Sequence, residues 1–214
     1  NGSGKTSVLE AIYILTRGKS FRATDPEIIK RGTDYYRIEL EYINGETYTA
    51  TYDGTTKTFL IMDKKSRRLP KKHKYPVVLF QPSDLNLISH SPGRRREYFD
   101  RTFSQFDEKY MRNLNKYEKA LKQRNDLLKQ EVLHPDELFS WNVLCANYGA
   151  EVLHRRVENL EKINDSLTDN YRNIAKNLDS CSLRYLGDEE LTENKYMDIL
   201  SRNFERDRIL GYTS

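Results

Sequence analysis

The chain is poor in several features that would have assigned it to a class outright. Only two cysteines occur in 214 residues, Cys145 and Cys181, far apart in helix-like and strand-like surroundings. That usage argues against a disulfide framework and fits the reduced thiols of a cytoplasmic protein. The four histidines, His73, His90, His134 and His154, share no ligand spacing with one another or with the cysteines, which argues against a His/Cys metal centre. Apolar runs such as Val77-Val78-Leu79-Phe80 fall far short of the ~20 residues that a membrane-spanning helix needs, so no membrane role is expected. No basic start followed by an apolar stretch and a small-residue cleavage site points to secretion. Glycine (10) and proline (6) are scarce, while 37% of residues are hydrophobic and 32% charged, a polar, helix-leaning composition short of disorder. Thirty-six basic against 32 acidic residues leave +4, too small a surplus to name a nucleic-acid partner by itself. The placement of the charge carries more.

Apolar residues from Ser7 to Thr16 lie nearly all round a helix, which predicts a core helix buried between layers and ended by Gly18. Tyr36 to Tyr42 alternates apolar and charged residues, Asn44-Gly45 closes a hairpin, and Asp53-Gly54 closes a second. Together with Tyr48 to Tyr52 and Thr58 to Met62 this predicts a three-stranded antiparallel meander. The Lys64 to Lys74 run reads as a loop, and Tyr75 to Phe80 as a buried strand. From Arg94 the pattern is helical, with one apolar stripe over Tyr110, Leu114, Tyr117, Leu121 and Leu128, and a break at His134-Pro135-Asp136. A second, longer stripe follows from Leu138 to Leu178, so two long antiparallel helices are expected to bury both. Leu183 to Leu186 then reads as a short strand, Tyr196 to Phe204 as a last helix, and Ile209 to Ser214 as the start of a strand or turn. The division expected is 1–93 with the core helix and the meander, 94–179 as a helical arm domain and 180–214 as a return segment.

The opening Asn1-Gly2-Ser3-Gly4-Lys5-Thr6-Ser7 matches the second part of G-x-x-x-x-G-K-[ST] and is followed at once by an apolar helix. Glycines let backbone N–H groups close on phosphate oxygens, Lys5 brings a point charge to the β and γ phosphates of ATP, and Thr6 offers a hydroxyl to Mg²⁺. The positive end of the helix faces the same anion. The strand and first glycine that ordinarily precede such a loop are absent here, so both ends of the sequence read as edges of a longer protein. An acid at the end of a buried strand is not evident either. Gln81, after Val77-Val78-Leu79-Phe80, is the candidate catalytic group for orienting water or Mg²⁺; a loop glutamine with Asp84 as a turn or helix cap is the competing reading.

Taken in order, Asn1 to Ile12, Gly18-Lys19-Ser20-Phe21-Arg22, Phe80-Gln81-Pro82-Ser83-Asp84-Leu85, Ser91 to Asp100, Leu121-Lys122-Gln123-Arg124-Asn125 and Asn203-Phe204-Glu205-Arg206-Asp207-Arg208 closely resemble successive motifs of the RecF family. The resemblance implies an α/β fold: the N-terminal part of a P-loop ABC-type ATPase head, with an antiparallel β meander and a long helical second domain. It also implies binding of ATP and Mg²⁺, an ATP-dependent homodimer, and weak DNA-dependent ATPase activity of the parent protein. Partners implied are single-stranded and gapped double-stranded DNA, with RecO and RecR, in loading recombinase and supporting the SOS response. The ABC signature segment, the acid of the Walker B strand and the D-loop find no match in this sequence.

Two basic clusters are candidate DNA contacts. Lys64, Lys65, Arg67, Arg68, Lys71, Lys72 and Lys74 can neutralise phosphates without reading bases, and a solvated hairpin loop is the plainer alternative. Arg94, Arg95 and Arg96 form the second cluster, or else a structural cap pairing with Glu97 and Asp100. An ABC-transporter ATPase subunit, or a nonenzymatic nucleotide-switched DNA scaffold, would share the phosphate loop. The transporter reading requires a signature segment roughly a hundred-odd residues on, and none occurs between Thr6 and Ser214.

Overall fold

The computed structural model describes residues 4–87 and 91–214. They divide into two compact units, Asn1–Pro82 and Ser83–Ser214. No helix among the described residues is long and apolar enough to cross a membrane.

In the first unit, α1 (Lys5–Arg17) ends where Gly18 takes a positive φ of 85° and donates its N–H to Ile14 O. A side chain at Gly18 would also crowd Leu69, since a Cβ there would lie 3.2 Å from the Leu69 Cβ. A short helix α2 (Asp25–Ile28) follows, started by a Thr24/Glu27 capping box. Strands β1 (Tyr36–Glu41), β2 (Thr47–Tyr52), β3 (Lys57–Ile61) and β4 (Lys64–Ser66) form one antiparallel sheet in sequence order. Its register pairs Tyr36 with Tyr52, Ala50 with Phe59, and Phe59 with Ser66. One face buries Tyr48, Ala50, Phe59 and Ile61 against Ile14, Leu15 and Leu69.

Three expectations change here. Helix α1 is not buried all round: Val8 and Leu9 are about three-fifths exposed and Ile12 is also exposed, whereas Ile14 and Leu15 are fully covered by the sheet. The Lys64 to Lys74 run is not simply a loop, because it contains β4 and a 3-10 turn at Lys71–His73. The turn into β4 uses Met62 and Asp63 at positive φ in place of an Asn-Gly pair, which hides it from the sequence pattern. Tyr75 to Phe80 forms no strand. Its residues pair with no strand among the described ones, and Val78 and Phe80 are strongly exposed.

The second unit is helical: α3 (Pro92–Phe103), α4 (Glu108–Leu128), α5 (Pro135–Ala175), α6 (Glu193–Arg202) and α7 (Phe204–Leu210). Asp107 caps α4 by accepting from Tyr110 N at 2.8 Å, and Pro135 with Asp136 and Glu137 starts α5. The two long helices are antiparallel, since Arg155 reaches Asp107 while Arg124 reaches Asn142 further along. Tyr110, Val152 and Phe103 close one part of the seam, and Ala120, Cys145 and Leu200 another. Ile209 and Leu210 complete α7, so the chain turns at Gly211 after a helix where a strand or turn was expected.

Leu183 to Leu186 does not join a sheet. Residues 181–186 alternate half-buried and exposed, and helix α5 supplies the hydrogen bonds that a neighbouring strand would give. Asn164 donates to Leu183 O and accepts from Leu183 N, both at 2.8 Å, and Thr168 donates to Cys181 O at 2.8 Å. The alternation is that of a strand, but its ladder is made of side chains.

Arg124 and Asp207 are both fully buried, with Nη1 2.9 Å from Oδ2. That oxygen takes no directed hydrogen bond, so the attraction is Coulombic, while Nη1 donates to Thr213 Oγ1 at 2.7 Å and Nε to Asn142 Oδ1 at 2.7 Å. Removing one charge strands the other. Asp207→Ala is expected to cost about 3–5 kcal/mol in urea unfolding, and adding Arg124→Met should restore most of it; equal stability of the single variant would remove the pair from this role.

Gly149 gives a second prediction: a Cβ there would enter the Tyr196 ring and lie 3.0 Å from Tyr117 Cε2. Gly149→Ala should lose about 1–3 kcal/mol despite alanine's better helix propensity, and a gain in melting temperature would contradict this packing. A third concerns the thiols. Burial pushes the Cys145 thiol up to about 11, whereas Cys181 is half-buried. One cysteine should react with a maleimide in the native protein at neutral pH and two in denaturant; two fast native reactions would overturn this.

Candidate functional site

The candidate nucleotide site is built at the start of α1. Gly4 stands at φ 76°, a conformation that only glycine adopts readily, and a Cβ there would meet nothing within 4 Å. The backbone, rather than crowding, calls for glycine. No side chain caps this end, and no acid sits in the first turn, so the positive end of the helix dipole is left without an anion from its own turn. Lys5, Thr6 and Ser7 are all exposed on that turn. Asn1, Gly2 and Ser3 lie outside the described residues. The exposed Thr6 hydroxyl is a hard oxygen beside the Lys5 charge, which fits the single protein ligand that Mg²⁺ often takes alongside substrate phosphates.

Further along α1, Glu10 is buried and tied to the segment that leaves the helix. It accepts from Ser20 Oγ at 2.5 Å and from Arg22 Nε and Nη2 at 3.0 and 2.6 Å. The Arg22 hydrogen bonds hold the Glu10 carboxyl below the usual carboxylate range, against the raising effect of burial. Ser20 Oγ in turn accepts from the N–H groups of Arg22 and Ala23. The whole 18–23 segment is thereby folded back along the helix that begins at the candidate site. Sequence reasoning gave these residues no role, although Glu10 is the single charged residue in the apolar run from Ser7 to Thr16.

All seven cations of the Lys64 to Lys74 run are exposed, yet their backbone is pinned at three points. Leu69 is buried under α1, Tyr48 OH lies 2.6 Å from His73 Nδ1, and Tyr75 N donates to Thr16 O at 3.1 Å. Partial burial lowers the Lys74 ammonium below its ordinary value, and the nearby charges of Arg17, Lys19, Lys71 and Arg68 lower it further. Arg17 and Lys19 therefore join the basic surface, which a run read along the sequence could not include. Gln81 is half-buried and follows the irregular 75–80 stretch, with no strand to aim it.

In the second unit, Arg94 and Arg96 are exposed on the first turns of α3 and Arg95 is half-buried. Asp100 is engaged by Arg156, which donates Nε and Nη2 to its two oxygens at 3.0 Å each, and by the Tyr110 hydroxyl. That fork binds α3 to α5. No group of three or more His, Cys, Asp or Glu side chains among the described residues could hold a metal ion.

No protein-family model matches the chain. It is 32% identical over 222 residues to the DNA replication and repair protein RecF of Leptospira interrogans serovar copenhageni, spanning all of this chain and 60% of that protein. It is 30% identical over 233 residues to RecF of Ruminiclostridium cellulolyticum, again across the whole chain and 62% of the relative. The chain thus spans about three-fifths of the length of the relatives it matches. Among solved structures it is similar to the recombination mediator protein RecF with ATP in the RecFOR pathway, at TM-score 0.78 and 28% identity, and to the RecF-ATPrS form at 0.79 and 27%. Each similarity covers all of this chain and 62% of the solved one. With identity of 30% or more to the Leptospira and Ruminiclostridium relatives along its whole length, the chain belongs to the RecF family.

Proposed function

We propose that this chain supplies the nucleotide-gripping turn and a DNA-contacting surface of a RecF-type ATPase that acts in DNA replication and recombinational repair. The observation that carries the reading is the uncapped, acid-free start of α1 at a positive-φ Gly4, in a chain similar along its whole length to a RecF solved with ATP. The first-turn N–H groups and Lys5 would take the β and γ phosphates, and Thr6 would hold Mg²⁺, which when bound neutralises phosphate charge. Gln81 is proposed to orient water or Mg²⁺. Work at single-strand gaps with RecO and RecR, an ATP-dependent homodimer, recombinase loading and SOS support belong to the same proposal and rest on the family resemblance.

The DNA surface proposed is the pinned run Lys64 to Lys74 with Arg17 and Lys19, and Arg94 to Arg96 as a separate cluster. A fixed backbone carrying exposed cations gives up little chain entropy on meeting phosphates. This favours a binding surface over a merely solvated loop.

Lys5→Ala should weaken ATP about 10- to 100-fold by calorimetry, since a charge-assisted phosphate contact is worth roughly 1.5–3 kcal/mol. Unchanged affinity would refute the assignment. For DNA, the triple variant Arg67→Ala/Arg68→Ala/Lys72→Ala should bind gapped duplex more weakly and flatten the slope of log K against log salt by up to about 2.7, at ~0.9 for each phosphate that is no longer neutralised. An unaltered slope would show that these cations do not meet the backbone.

A further inference from the structure

We propose that a groove in the second unit, between α3 and the extended segment 182–187 over α5, binds an extended acidic peptide with apolar residues at alternate positions, contributed by a partner protein. The reading is independent of the ATP assignment, and it takes Arg95 and Arg96 from the cluster offered above to DNA, so the oligonucleotide arm of the test decides between the two. The groove encloses about 560 Å³, and four guanidinium groups line it, Arg95, Arg96, Arg156 and Arg184, with no carboxylate among the lining residues. Asp100 matches the Arg156 charge. Arg96 and Arg184 make no ion pair among the described residues and are exposed. In a chain with 32 acidic residues, a groove lined by four cations and no carboxylate is complementary to an anionic ligand.

The backbone of one wall says which kind of anion. Cys181 and Leu183 spend their N–H and C=O groups on Thr168 and Asn164 of α5. In an extended chain the alternate residues point their backbone groups to the opposite edge. The N–H and C=O of Ser182 and Arg184 accordingly face away from α5, and they have no hydrogen-bond partner among the described residues. An edge with one side satisfied and the other open is the template that β-strand addition uses, with main-chain bonds giving affinity and alternate side chains filling pockets. Phe99, Leu160 and the strongly exposed Leu186 offer the apolar contacts.

A nucleic acid fits less well. It cannot pair a strand edge, and its bases need an open aromatic face. Tyr185 is the aromatic residue on this wall, and its ring folds over Gly187, where an added Cβ would lie 3.0 Å from the Tyr185 Cζ and hydroxyl. Phe99 is half-buried beside Phe103, ring centroids 5.7 Å apart, so only part of its ring reaches the groove.

The probe is a fluorescein-labelled peptide, Asp-Leu-Asp-Leu-Asp-Leu-Asp, titrated with the chain by anisotropy, beside the same peptide with Lys for Asp and a labelled short oligo-dT. The acidic peptide is expected to bind and the lysine version not to. Arg96→Glu/Arg184→Glu should weaken the acidic peptide about tenfold or more, and Ser182→Pro, which deletes one edge donor, several-fold, each with unchanged helical circular dichroism. Binding should be the same in Lys5→Ala, so failure of the ATP assignment leaves this result standing. Equal binding of acidic and basic peptides, or of the acidic peptide to wild type and the Arg96/Arg184 variant, would overturn the proposal. So would a variant that loses oligo-dT but keeps the peptide, which would make the groove a nucleic-acid site. Should Ser182→Pro lose helicity, the two exposed arginines still decide the matter.

Discussion

A helix leaves its first N–H groups without intrahelical partners, and in α1 the chain answers that constraint with neither a capping side chain nor an acid. The features of the first unit follow from how this helix is held. Its C-terminal half is clamped to the sheet through Ile14 and Leu15, and Gly18 turns the chain tightly enough to admit Leu69. Glu10 draws the departing segment back along it through Ser20 and Arg22. The far end is thereby fixed, and the near end presents its dipole and Lys5 outward. The same packing that buries Leu69 and seats His73 on Tyr48 also fixes the basic run beside Arg17 and Lys19. One helix thus positions both the candidate nucleotide turn and the candidate DNA surface.

The second unit is organised by charge as much as by its apolar seam. The Arg156 fork on Asp100 and the Arg155 contact to Asp107 join α5 to the elements before it, and buried Arg124 gathers α5, α7 and the segment at Thr213. Buried pairs of this kind add little net stability over apolar substitutes, but each fixes one arrangement of helices, because any slip leaves an unpaired charge. The motifs around Arg124 and Asp207, distant in sequence, prove to be two halves of one contact.

What could be read from the sequence is what depends on neighbours along the chain. Asn44-Gly45 and Asp53-Gly54 mark their turns, Pro135 marks the break between the long helices, and Gly4-Lys5-Thr6 ahead of an apolar run marks the start of α1 and the candidate phosphate turn. What could not be read depends on partners far off in sequence. The Met62-Asp63 turn has no sequence signature and hides β4, while Val77 to Phe80 carries a buried-strand pattern yet pairs with no strand among the described residues. Residues 181–186 alternate like a strand because helix side chains serve them as a ladder. The Glu10 clamp and the Arg17–Lys19 contribution to the basic surface join residues whose proximity only the folded chain creates.

The central claim, that the start of α1 grips nucleotide phosphate, is tested most directly by hydrogen exchange of the backbone amides with and without ATP and Mg²⁺. The account predicts slowed exchange at Lys5, Thr6 and Ser7 on adding ATP, with little change in the β meander. Protection confined to other residues, or none at saturating ATP, would contradict it.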